Sequence, residues 1–185
     1  MNKRKIILDT ETTGLRTTDG NRVIEIGCLE VINDELTGSQ YHCYFNPQRE
    51  IEEGAFKTHG ISYESLKNKP LFSEKVEYFL DYIRDAELII HNARFDIDFL
   101  DNELLLHYKE DKKISDIAQI FCTLEYAKSI RPFKKNTLDA LCIDYNIDNS
   151  NRTLHGALLD SSILFEVYKA MVLDKKHSEE SVCQS

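Results

Sequence analysis

The sequence predicts a mixed α/β domain, one sheet with helices on both faces, and three observations carry that expectation. The first half of the chain is rich in short apolar runs and period-two alternation. From about residue 73 onward, helical periods alternate with short buried runs. The length of 185 residues suits one domain. A domain of that size buries roughly 70% of its unfolded surface without needing disulfide staples.

The elements follow in order. Residues 5–10 hold the buried run Ile6-Ile7-Leu8 and are expected as a strand. Residues 22–32 place Val23, Ile24, Ile26, Cys28, Leu29 and Val31 on a second strand. Residues 38–45 carry Tyr41, Cys43 and Phe45 at period two, and Asn33-Asp34-Glu35 is the expected hairpin turn. In residues 73–83, Val76, Phe79, Leu80 and Ile83 recur at helical spacing, with Ser73 as the expected N-cap. A short strand at 87–91 precedes a helix bearing Phe95, Phe99 and Leu106, and residues 117–123 read as a fifth strand. Short helices are expected at 124–129 and 137–145, and a last helix at 157–172. The domain is expected to span residues 3–172. Residues 173–185 lack an apolar period and read as a loose polar tail.

Composition narrows the function. Apolar residues make up 42% and charged residues 30%, as in soluble globular proteins. Runs such as Leu88-Ile89-Ile90 fall far short of the ~20 apolar residues that cross a bilayer. After the basic start, only Ile6, Ile7 and Leu8 precede Asp9, so no signal-peptide core is expected. The five cysteines, at 28, 43, 122, 142 and 183, form no Cys-x-x-Cys pair. They read as reduced thiols of a cytoplasmic protein, not as a zinc site or disulfide frame. A net charge of −9 disfavours a simple electrostatic nucleic-acid binder. It leaves open an enzyme that meets nucleic acid through metal ions, which invert the local field.

Three places put acids where a fold has little need of them. In Asp9-Thr10-Glu11 an extended backbone turns both carboxylates to one face, where they repel unless a cation lies between them. Hard divalent ions take such oxygen ligands, although an acidic turn at a strand end fits the same pattern. Asp96 shares its helical face with Leu100 and flanks the Phe95/Phe99 stripe, whereas Asp98 lies on a wet face with Asp101 and Asn102. Asp96 also fits a helix N-terminal acid favoured by the macrodipole. Asp160 precedes Ile163, Leu164, Val167 and Met171 on the apolar face of the last helix, a costly place for a carboxylate without a partner or a metal. His155 can join Asp160 at one site only from the loop before that helix, which Gly156 permits. As a plain loop histidine it would have no such role.

Asp-x-Glu, Asp, and His-x4-Asp in that order resemble the DEDDh 3′–5′ exonucleases. Asp9-Thr10-Glu11-Thr12-Thr13-Gly14-Leu15, His91-Asn92-Ala93-Arg94-Phe95-Asp96 and His155-Gly156-Ala157-Leu158-Leu159-Asp160 are similar to that family's three motifs. The segments around Arg22–Gly27, His59-Gly60-Ile61 and Asn136–Cys142 are most similar to the proofreading epsilon subunits of bacterial DNA polymerase III. Where those proteins usually carry an aspartate, this chain has Cys122, expected as a packing difference.

The resemblance implies a ribonuclease-H-like, mixed five-stranded sheet and a 3′–5′ exodeoxyribonuclease that removes 5′-mononucleotides from single-stranded or frayed DNA 3′ ends. It implies two divalent cations, Mg²⁺ or Mn²⁺, held by Asp9, Glu11 and Asp160, with Asp96 acting through a water. His155 is then the general base, since an ordinary histidine titrates near neutrality. Thr10, Thr12, Gly14, His59 and Phe95 are expected beside the terminal nucleotide, with Phe95 equally placed to be core. Lys128, Arg131, Lys134, Lys135 and Arg152 form a basic set that either grips phosphate or is a solvated face, and His91 is expected to be structural. The DNA polymerase III catalytic subunit is the implied partner. With few apolar anchors after Val172, docking through that segment is expected to be weak or absent, which leaves either a free-standing DNA-trimming exonuclease or docking through the folded domain. A ribonuclease that trims RNA 3′ ends, told apart by 2′-hydroxyl contacts, and a catalytically silent adaptor on the same fold remain the alternatives.

Overall fold

A computed structural model describes residues 4–109, 111–150 and 152–183, with side chains in the last helix as far as Val172. Five strands, β1 (Lys5–Thr12), β2 (Val23–Ile32), β3 (Glu35–Tyr44), β4 (Glu87–Ile90) and β5 (Gln119–Cys122), form one sheet in the order β3-β2-β1-β4-β5. The first three strands are antiparallel, while β4 and β5 run parallel to β1. The expected mixed sheet is present. Alternation along the central strands divides the core in two: Ile6, Leu8, Leu88 and Ile90 face one layer, and Ile7 and Ile89 face the other.

The helices are α1 (Glu53–His59), α2 (Tyr63–Leu66), α3 (Phe72–Ile83), α4 (Ala93–Tyr108), α5 (Thr123–Ile130), α6 (Leu138–Asp144) and α7 (Ala157–Cys183). Helices α3 and α4 cover the first layer, and α5, α6 and α7 cover the second. Helices α1 and α2, of 7 and 4 residues, are not expected from the sequence, because so few turns show no period.

Several boundaries differ from expectation for local reasons. Asn33 and Asp34 both have positive φ, which makes a two-residue turn matching strand twist, so β3 starts at Glu35 instead of residue 38. Ser73 is not the cap of α3. Leu71 holds that position, and its N–H donates to the Glu74 carboxylate at 2.6 Å. Leu106 does not join the apolar stripe of α4 and is exposed, while Phe99, Leu100 and Leu104 carry the packing. Helix α7 continues to Cys183, through the expected loose tail. That segment contains no Gly or Pro to stop a helix.

Cys122 is the N-cap of α5, with extended backbone and no side-chain cap hydrogen bond. It also packs against the first core layer, so its difference from the usual aspartate is one of packing, as expected, and of capping as well. Cys122→Asp is expected to raise stability by about 0.5–1 kcal/mol by accepting an orphan N–H. Thermal melting checks this, and a loss of stability would contradict it.

Candidate active site

β1 is two residues longer than expected because Thr10, Glu11 and Thr12 pair with Ile26, Glu25 and Val23. Asp9 and Glu11 thus stand on one strand face, the face that α7 covers. Opposite Asp9 is Gly27, and a Cβ there would lie 2.3 Å from Leu158 N and 2.4 Å from Ala157 C. Only glycine lets the first turn of α7 approach so closely, and Ser161 Oγ seals the contact by donating to Gly27 O at 2.9 Å. This approach sets Asp160, 3% exposed, beside the strand acids.

Asp96 comes from the other layer. Strand β4 ends at Ile90, and Asn92 at φ 60° turns the chain into α4. Asp96 falls in the first turn, buried, and Thr10 donates to its Oδ1 through both the backbone N–H at 3.1 Å and the hydroxyl at 2.7 Å. Thr10, on the strand face opposite Asp9 and Glu11, ties the fourth carboxylate to the strand end. Asp98 is exposed, as its face predicted.

Asp9, Glu11, Asp96, His155 and Asp160 line one cleft of about 610 Å³. Burial, then the charges of Asp96, Glu11 and Asp160, push the Asp9 carboxyl well above the usual range. Burial and the Asp160 and Glu25 charges push Glu11 up to about 8. Burial pushes Asp96 up to about 7 against the hydrogen bonds from Thr10. Asp160 differs: burial would raise it, but the adjacent His155 ring and the Arg152 guanidinium outweigh that and hold it below its usual range. Carboxylates crowded beyond their partners suit a divalent cation, and ligand atoms of Glu11, His155 and Asp160 all lie within 4.8 Å of one another.

His155 lies in the loop before α7, as its spacing required, with its backbone N–H donating to Thr58 O at 3.1 Å. Its Nδ1 is 2.9 Å from Arg152 Nη2 and 3.1 Å from Asp160 Oδ2. A guanidinium only donates, so Nδ1 accepts in the first contact and would have to donate in the second. A neutral ring serves one of them at a time.

The remaining expected residues fall into two groups. Phe95 is half-buried, stacks on Phe99 at 5.0 Å between centroids and also lines the cleft, so it is both core and wall. Thr12, Gly14 and His59 line it too, but each is engaged internally. Thr12 Oγ1 donates to Gly14 O at 2.7 Å. A Cβ on Gly14 would meet Glu52 Cδ at 2.3 Å, so its glycine serves the loop's own packing. His59 Nε2 contacts Thr12 O at 3.2 Å, its Nδ1 accepts from Ile61 N–H at 3.0 Å, and burial pushes its pKa down. His91 Nδ1 shares a hydrogen bond with Thr123 Oγ1 at 2.9 Å, and burial pushes its pKa to about 4.

The basic set does not assemble. Arg131 is buried and paired with Asp144, Lys128 pairs with Glu125, and Lys134 and Lys135 are exposed. Arg152 instead forks onto Asp160 inside the cleft, with Nε to Oδ1 and Nη2 to Oδ2 both at 2.6 Å. Asp139, which has no role in the sequence reading, takes a third bond from the same guanidinium. No local pattern marks this pair, because α6 and the 152–155 loop meet only in the fold.

The crowding has a measurable consequence. Glu11 and Asp96 hold protons in the folded state that an unfolded chain has lost between about pH 5 and 8, so stability falls as pH rises through that window. Asp160, held low, loses its contribution only at more acidic pH. In excess chelator the melting temperature is expected to drop across that window, and a saturating divalent cation to remove most of the drop. A melting temperature independent of pH in chelator would contradict the crowding.

A family model described as Exonuclease matches residues 6–168. The chain is 51% identical over 172 residues to the DNA polymerase III subunit epsilon of Salmonella typhimurium, covering 91% of this chain and 71% of that protein. It is 52% identical over 165 residues to the subunit of the same name from Rickettsia conorii, covering 89% and 72%. Among solved structures, Exonuclease X in complex with 5′ overhanging duplex DNA superposes with TM-score 0.70 at 23% identity, covering 94% of this chain and 92% of that one. The zinc-bound E. coli ExoI–ssDNA complex superposes with TM-score 0.80 at 15% identity, covering 100% and 43%. Those two likenesses are of fold, and the fold is the five-stranded α/β sheet described above. Acids at the end of β1, a fourth acid tied there by Thr10, a family model over most of the sheet and half of all aligned residues shared with epsilon subunits agree: the chain belongs to the exonuclease family.

Proposed function

We propose that this chain is a 3′–5′ exodeoxyribonuclease that releases 5′-mononucleotides from single-stranded or frayed DNA ends, in the manner of a proofreading subunit. The observation that carries the reading is the meeting of Asp9, Glu11, Asp96, Asp160 and His155 in one cleft, in a chain half identical to polymerase III epsilon subunits. Asp9, Glu11 and Asp160 would hold two divalent cations, Mg²⁺ or Mn²⁺, with Asp96 acting through a water. Cations held there would supply neutralisation of phosphate charge and a more acidic water. His155 acts as the general base, accepting a proton at Nε2 while Nδ1–H points to Asp160. Thr10, Thr12, Gly14, His59 and Phe95 form the wall beside the terminal nucleotide. Their internal hydrogen bonds keep that wall rigid, which favours a fixed in-line approach.

The partner this likeness suggests is the catalytic subunit of DNA polymerase III, and the compartment is the cytoplasm. No described helix is long and apolar enough to cross a membrane. Digestion of end-labelled single-stranded DNA and RNA side by side tests the reading. Mononucleotide release from DNA 3′ ends with Mg²⁺, lost in chelator, is expected. Preference for RNA, or full activity in excess chelator, would overturn it.

A further inference from the structure

Arg152 is the strongest feature that the proposed chemistry does not use. Its side chain is 7% exposed, and its guanidinium meets three groups at once. Nε and Nη2 close on both oxygens of Asp160, Nη1 donates to Asp139 Oδ1 at 2.5 Å, and Nη2 also donates to His155 Nδ1 at 2.9 Å. Asp160 is nearly inaccessible, whereas the Asp139 side chain is 59% exposed at the start of α6 and is steadied by Asn149 Nδ2 at 3.3 Å. A divalent ion and a guanidinium cannot share one carboxylate without like-charge repulsion at close range.

We propose that Arg152 is a built-in competitor for the cation site: an ion binds Asp160 by exchanging with the Arg152 fork, and Asp139 retains the displaced guanidinium. The inference rests on the reading that Asp160 is a cation ligand. The same exchange acts on His155. While Nη2 donates to Nδ1, the neutral ring carries its proton on Nε2 and has no free lone pair there to accept another. Once the guanidinium moves toward Asp139, Nδ1 can donate to Asp160 and Nε2 becomes the acceptor. Arg152 is thus a positioning residue that links cation entry to the readiness of the base. Because coupling is reciprocal, the ion loosens the fork by the same factor as the fork weakens the ion.

Mn²⁺ binding, read by electron paramagnetic resonance of the free ion at about pH 8, and melting in excess chelator together test this. Arg152→Lys keeps the charge but cannot fork, and Arg152→Gln removes both. Each is expected to bind Mn²⁺ about fivefold or more tightly than wild type and to melt lower in chelator, where Asp160 has lost its partner. Asp139→Asn is expected to weaken Mn²⁺ binding, and that weakening should shrink when Arg152→Gln is present. Arg152→Lys binding Mn²⁺ no tighter than wild type would overturn the exchange. So would an Asp139→Asn effect unchanged by the second substitution. Failure of wild type itself to bind Mn²⁺ would overturn both this inference and the cation reading beneath it.

Discussion

Asp9→Asn is expected to abolish most activity while making the protein more stable in chelator. Asp9 stands among Asp96, Glu11 and Asp160, and its carboxyl is pushed up by burial and by their charges. The amide has nearly the same size and no charge, so the folded protein loses a repulsion without gaining a cavity. On the proposed reading, the same change removes a ligand that would hold cations at the strand end. Charge stabilisation by a bound metal contributes several kcal/mol to such reactions, so kcat should fall on the order of 10³-fold or more. Opposite signs are the diagnostic: a merely structural acid would lose stability when substituted. Melting in chelator and single-turnover rates with Mg²⁺ decide it, and activity within tenfold of wild type would refute the assignment.

His155→Ala is expected to lower kcat by ~10²–10⁴-fold, the usual contribution of a general base, with the fold intact. The His155 side chain is 41% exposed, and the bond from its backbone N–H to Thr58 O does not need the ring. The 152–155 loop therefore keeps its course in the variant. Because ligand atoms of Glu11, His155 and Asp160 lie close enough to share one ion, the decisive readout is Mn²⁺ affinity measured beside kcat. A base leaves affinity nearly unchanged. If affinity fell as far as it does in Asp9→Asn, His155 would be a ligand and the proton would need another acceptor.

The sequence by itself determined the local half of this site. Ile6-Ile7-Leu8 demanded a buried strand, and its alternation turned Asp9 and Glu11 to one face. Ile163, Leu164, Val167 and Met171 made the face of α7 apolar, so Asp160 was conspicuous on it. The Phe95/Phe99 stripe separated Asp96 from Asp98. All of these rest on spacings within one element, where backbone period alone sets direction.

Tertiary structure decided what brings them together. Gly27 admits the start of α7 against β2, Thr10 draws Asp96 around the strand end from the opposite layer, and Asp139 on α6 reaches the guanidinium that covers Asp160. Each contact joins elements far apart in the chain, and no period within either partner encodes it. The lysines and arginines read as one basic set scattered for the same reason. Proximity in sequence placed Arg131 and Arg152 together on paper, whereas burial and the nearest carboxylate sent one to Asp144 and the other to Asp160. A long cationic side chain goes wherever the packed fold leaves an unbalanced acid, and only the assembled layers determine where that acid lies.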